Sequence, residues 1–170
     1  MSLSYYQLTV PVFQRALGNL DGILDKVLEH CEQNKIDPDY LFNFRLYPDM
    51  FPMRMQVQIV TDFSIKAVKR LAGQEVVEIP FEEKNFAELK QRIAAAQECV
   101  GAMKPEHFAE SASIQLSIPT PYGPLSFDAE GYLTTFVYPN FYFHMTTAYN
   151  IARHNGVPLG KFDFTGKYTD

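Results

Sequence analysis

The chain of 170 residues carries a net charge of −5, is 46% hydrophobic, and contains 14 Phe and 10 Tyr but no Trp. A domain of this length buries roughly 70% of the surface its unfolded form exposes, so folding requires neither a metal nor a disulfide and any metal would serve function. The acidic balance excludes a nucleic-acid surface, which needs clustered Lys and Arg, and the one basic concentration, KAVKR at Lys66–Arg70, is spaced like the solvated edge of a helix.

With no long polar linker, residues 1–170 read as one domain. The opening MSLSYYQLTVPVF lacks a basic region followed by an apolar run, so no signal peptide is expected. No apolar stretch approaches the ~18 residues of a membrane span. Cys31 and Cys99 each fall inside a helical pattern and form no CxxC pair, which suits buried free thiols in a reducing compartment. A cytoplasmic protein without nucleic-acid or membrane partners is the expectation.

The first helix is predicted from about Val10 to Asn34. Phe13, Leu17, Leu20, Leu24, Val27 and Cys31 recur at three- and four-residue spacing, Thr9 is placed to cap it, and Pro11 falls in the first turn. DPDYL at Asp37–Leu41 reads as a single helical turn. A second helix is predicted from an Asp49 N-cap to Leu71, stopping at Gly73. Its stripe runs through Met53, Val57, Val60, Ala67 and Leu71, and Met55, Ile59 and Phe63 form a second apolar flank.

The third helix starts at Asn85, where Asn85-Phe-Ala-Glu88 has the logic of a capping box, and ends before Pro105. In SASIQLSIPTPYGPLSF the period changes to two. Ile114, Leu116 and Ile118 alternate with polar residues, and Leu125 and Phe127 return after a Pro- and Gly-rich turn. This is an irregular β-hairpin that must pack on the helices. The fourth helix runs from Asp128 to Arg153 or His154, kinked at Pro139 and closed at Gly156. The fold class is all-α, an antiparallel four-helix bundle with a small hairpin before the last helix.

At ~100° per residue, Val137, Phe141, His144, Ala148 and Ile151 share one side of the last helix, which puts His144 in the inward stripe. The same projection brings Asp49 and Gln56 inward on the second helix and Asn140 within ~40° of His144. Asp49, Gln56, Asn140 and His144 therefore define a candidate ligand pocket between two helices. In it His144 is the candidate general base, oriented by Asp49 and assisted by the two amides. The competing reading is a satisfied core network that fixes register, with Asp49 only a helix cap. His154 fits a last-turn cation, and His30 and His107 read as surface residues. The chain has no G-x-S-x-G, no phosphate-binding glycine loop, no H-E-x-x-H and no Cys-x-x-Cys.

LYPDMFPMRMQVQ at Leu46–Gln58, LAGQE at Leu71–Glu75 and PNFYFHMTTAYNIARHNGVPLGKFDF at Pro139–Phe164 resemble a bacterial family of unknown function within the DinB/YfiT-like superfamily of helical bundles. The resemblance implies an up-down-down-up bundle, often dimeric, whose long crossover would be Gln74–Asn85. It also implies that many relatives hold a divalent metal with three histidines, one from the second helix and an H-x-x-x-H pair from the last. Here Ala148 stands four residues after His144, and Gln56 is the inward polar group of the second helix. That donor set disfavours a metal cofactor. The function expected is a small-molecule pocket around His144. The alternatives are a non-catalytic homodimeric scaffold using the Met55–Ile59–Phe63 flank, and a metal-dependent hydrolase or thiol transferase.

Overall fold

In the computed structural model, which describes residues 3–167, helix α1 spans Tyr5–Asn34 and starts five residues before the predicted boundary. Ser4 is the true N-cap: its hydroxyl accepts from the Gln7 N–H, and Gln7 Oε1 accepts from the Ser4 N–H at 2.9 Å. Thr9 does not cap. Its hydroxyl donates back to the Tyr5 carbonyl at 2.6 Å, one turn inside the helix. Pro11 is therefore internal, and it stands exposed on the outer face, where its missing N–H costs one ladder bond and no core contact.

Helix α2 spans Pro38–Asn43 behind an Asp37 cap, as the Asp-Pro step predicts. Helix α3 spans Met53–Leu71, and its N-cap is Pro52, with no side-chain cap bond. Asp49 thus lies in an exposed turn ahead of the helix, which corrects its assignment as a cap. Helix α4 spans Phe86–Gly101. Asn85 Oδ1 accepts from the Glu88 N–H at 2.9 Å, while Glu88 Oε2 reaches the Lys84 N–H at 2.7 Å.

The hairpin pairs β1 (Gln115–Ile118) with β2 (Leu125–Asp128) in antiparallel register, Gln115 opposite Asp128 and Ile118 opposite Leu125. Asp128 caps the short α5 (Ala129–Gly131), which leads through a π-helical segment at Tyr132–Val137 into α6 (Tyr138–His154). The break expected at Pro139 is realised as this widened turn. Pro139 then falls in the first turn of α6, directly after the π-helical segment whose wider turn accommodates the ring and the missing N–H. A closing helix, α7 (Lys161–Thr165), was not anticipated. It is held to α1 by Asn19 donating to the Phe164 carbonyl and by a Lys26–Asp163 ion pair.

Cross-helix contacts fix the directions. Gln14 donates to the Gln97 carbonyl while Lys90 pairs with Asp21 and Asp25, so α1 and α4 run antiparallel. Arg92 bonds Thr61, and further along both helices Ile65 and Lys69 line one groove with Ala95 and Cys99, so α3 and α4 are parallel. His144 meets Gln56 while Tyr132 meets Arg70, which makes α6 antiparallel to α3. Tyr138 donates to the Leu8 carbonyl and Gly156 lies beside His30, so α6 is parallel to α1.

The order is up-down-down-up. It replaces the simple alternating bundle suggested by periodicity and requires the crossover of residues 74–85. Phe13, Leu20, Leu24, Val60, Ile93 and Phe141 lie at zero exposure in the core between these helices. The second flank of α3 is half-buried, with Phe63 against Phe136 and His144. No described helix is long and apolar enough to cross a membrane.

The cap assignments are separable by substitution. Asn85→Ala is expected to lower stability by about 1 kcal/mol in urea unfolding. Asp49→Ala, which removes no cap, should stay within about 0.5 kcal/mol of the parent.

Candidate functional site

The antiparallel packing of α3 on α6 sets Gln56 opposite His144. Gln56 is 1% exposed and sits in the first turn of α3, where its Nε2 donates to the Phe51 carbonyl at 2.8 Å. That bond fixes the orientation of the amide, so its Oε1 faces His144 Nδ1 at 2.7 Å. An amide oxygen only accepts, so Nδ1 must carry the proton. The neutral ring therefore bears its lone pair on Nε2, which takes no hydrogen bond among the described residues.

Burial lowers the His144 pKa below its ordinary 6.5. Phe63 stacks near the ring at 6.5 Å between centroids, and Phe143 meets it edge-on at 5.2 Å. The imidazole is thus held neutral, in one tautomer, between two aromatic rings.

Around it lies a groove of about 330 Å3 lined by Asp49, Met50, Phe51, Gln56, Phe143 and His144. Three of the four residues chosen from the sequence come together there. Asp49 arrives from the turn before α3 and not from the helix, and Gln56 takes over the orienting contact that had been assigned to Asp49. Asn140 does not join them. Its Nδ2 donates to the Phe136 carbonyl at 2.7 Å, satisfying a backbone acceptor inside the π-helical segment. It is a local backbone cap, one helical turn from the groove.

Sequence reasoning missed the groove's apolar walls. Phe51 is 48% exposed and Phe143 55% exposed. Both lie off the inward stripes, so a projection that searches for buried faces passes over them. The signal available was the aromatic residue immediately before His144 and the Pro-flanked Phe51 ahead of the helix.

The groove does not fit a three-histidine metal centre. Gln56 and Ala148 stand where the implied second and third imidazoles would be, and the Gln56 oxygen is engaged with Nδ1. Among the described residues, no three His, Cys, Asp or Glu side chains gather closely enough to hold an ion. Cys31 is buried and Cys99 half-buried, and neither forms a disulfide.

Residues 5–165 match the family model described as a domain of unknown function, DUF1993. The fold is also that of a crystal structure of a DinB family member protein from Shewanella denitrificans. That protein is 40% identical, the alignment covers 97% of this chain and 93% of that one, and the TM-score is 0.91. No protein of curated function matches significantly.

The lowered His144 pKa gives a signed expectation. The neutral ring stabilises the fold fully above pH 6.5, and this contribution is lost as pH falls from 6.5 toward the folded-state pKa, because the unfolded chain then binds the extra proton. The stability gap between the parent and His144→Gln should accordingly narrow below pH 6.5, read as the difference in urea midpoints. A gap that widens on acidification contradicts a buried neutral imidazole.

Proposed function

The chain belongs to the DUF1993 family, and from that premise we propose that it is a small-molecule-binding protein whose site is the groove at His144. One observation carries the reading: an unpaired Nε2 on a neutral, rigidly oriented imidazole lies in a groove with exposed aromatic walls. A structural histidine of a finished core network would have both nitrogens satisfied.

The groove's chemistry narrows the ligand. Its available polar groups, the Asp49 carboxylate and His144 Nε2, are acceptors, and no Lys or Arg lines it. The matching molecule has an apolar body for Met50, Phe51 and Phe143 and presents an N–H or O–H donor. A protonated amine satisfies both acceptors and gains from the aromatic faces. Against a donor of suitable acidity, His144 is placed to act as general base, with Gln56 as the positioning residue that holds Nδ1–H. The free thiols of Cys31 and Cys99 suit a cytoplasmic setting for this activity.

Benzylamine is a direct probe, followed through the His144 ring resonances by NMR. A saturable shift is expected in the parent, weakened about threefold or more by Asp49→Asn. In His144→Ala, followed instead through the Phe143 ring resonances of the same groove, the ligand-induced shift seen in the parent should be lost with the fold retained. If neither benzylamine nor benzyl alcohol perturbs the ring, the binding reading is wrong.

A further inference from the structure

A roomier groove lies away from His144, under the crossover. It encloses about 700 Å3 between Val77 and Ile79 of the crossover, Ile65 and Lys69 of α3, and Ala95 and Cys99 of α4. Val77 is 68% exposed and Ile79 38% exposed, although the segment that bears them is firmly tied down. Glu78 pairs with Lys66 at 2.7 Å, the Pro80 carbonyl accepts from Arg92 at 2.8 Å, and Phe81 lies over the Arg92 guanidinium at 4.8 Å. Glu83 completes the attachment by accepting from both Arg92 and Gln58. Apolar side chains held in place yet left uncovered over a cavity mark a surface meant for another molecule.

The charges in this groove are unevenly engaged. Glu83 is taken up by Arg92 and Gln58, and Glu88 by the Lys84 N–H and the Asn85 amide. Lys69 and Lys84 have no ion pair among the described residues, and only Glu82 stands against them without a hydrogen-bond or ion-pair partner. At the base is Arg92, 7% exposed, whose buried Nη2 has no hydrogen-bond partner. Gln58, which holds the other oxygen of Glu83, likewise keeps a buried Oε1 without a partner. Arg92 thus serves the crossover, and Lys69 and Lys84 are the cations a ligand in the groove can reach.

We propose that this groove binds a small amphipathic carboxylate, with its chain against Val77 and Ile79 and its head group held by Lys69 and Lys84. The site is independent of the His144 groove, and its volume suits a medium-length chain.

Cys99 supplies the reporter. It lines the groove half-buried, whereas Cys31 is 1% exposed with its thiol pKa raised by burial, so a thiol reagent selects Cys99. N-ethylmaleimide alkylation of the full chain, located by peptide mass spectrometry, is run with octanoate below its micelle concentration. Saturating octanoate should slow the reaction by about tenfold, since alkylation follows thiol access. Octylamine at the same concentration should protect little. Lys69→Gln should raise the octanoate needed for half-protection by about threefold. The amide resonances of Val77 and Ile79 give a second readout should the thiol react too slowly. Equal protection by octylamine reduces the site to an apolar crevice and overturns the proposal. So does octanoate that leaves those resonances unmoved.

Discussion

The Arg92 guanidinium joins the segments that make this bundle different from an alternating one. Two parallel neighbours, α3 and α4, can be consecutive only if the chain travels the length of the bundle between them. That return path has no regular hydrogen bonding of its own. Arg92 supplies what the path lacks: Nε donates to Thr61 of α3, while Nη1 bonds the Pro80 carbonyl and Glu83 of the crossover. Burial by itself pushes the Glu83 carboxyl up, but the hydrogen bonds from Arg92 and Gln58 outweigh it and hold its pKa below the usual value. A buried pair of this kind contributes less to net stability than to geometry, because desolvation offsets much of its attraction. Removing either partner leaves a charge without compensation, so the crossover, the parallel helix pair and the groove beneath them stand together.

The His144 groove depends on a different device at the other side of α3. The π-helical turn at Tyr132–Val137 absorbs the irregularity announced by Pro139, and α6 then runs as regular helix from Tyr138 through His144. Tyr138 anchors that restart to α1 by donating to the Leu8 carbonyl, and burial pushes its pKa up to about 12, so the donating proton stays in place. Phe141, one turn on, packs its ring on Phe13 at 4.9 Å. With these contacts fixing the rotation of α6, His144 has one direction available, toward Gln56.

The parts of this architecture that were legible in the sequence are those governed by local rules. The capping logic at Asn85, the helix start at Asp128, the stop at Gly156 and the two-residue period of the hairpin each appear where the pattern places them. Thr9 and Asp49 failed as caps for a shared reason: both are good capping residues standing next to a proline-marked turn, and neither the Ser4–Gln7 box nor the uncapped start at Pro52 shows in an apolar stripe. Helix direction was not local at all. Periodicity is the same for a helix running up or down, so the parallel α3–α4 pair followed only from resemblance and then from contacts. The projection found His144 and Gln56 because both face inward, and it overrated Asn140 because angle on a helical wheel ignores whether a side chain is already engaged by its own backbone. Arg92 is hidden from the pattern for a related reason, since a lone Arg in an amphipathic helix reads as surface until the crossover that buries it is known.

The two grooves differ in electrical character, and that difference is informative in a chain of net charge −5: one is lined by an acid and no Lys or Arg, the other by acids and bases in equal number. Acidic excess alone would leave every cleft lined by carboxylates. At His144 the groove agrees with the excess: Asp49 and a neutral ring nitrogen face it, and cations are missing from its walls. Under the crossover the carboxylates Glu82, Glu83 and Glu88 are balanced by Lys69, Lys84 and Arg92, with Glu83 held by Arg92 and Glu88 by neutral donors at the start of α4. Glu83 is thereby committed to Arg92, and Lys69 and Lys84 stand without an ion pair among the described residues. The same contacts that close the up-down-down-up connection also shape the groove proposed to take a carboxylate, by committing Glu78 to Lys66 and Glu83 to Arg92. The second groove exists because α3 and α4 are parallel neighbours: an alternating bundle would have no crossover to lie over it.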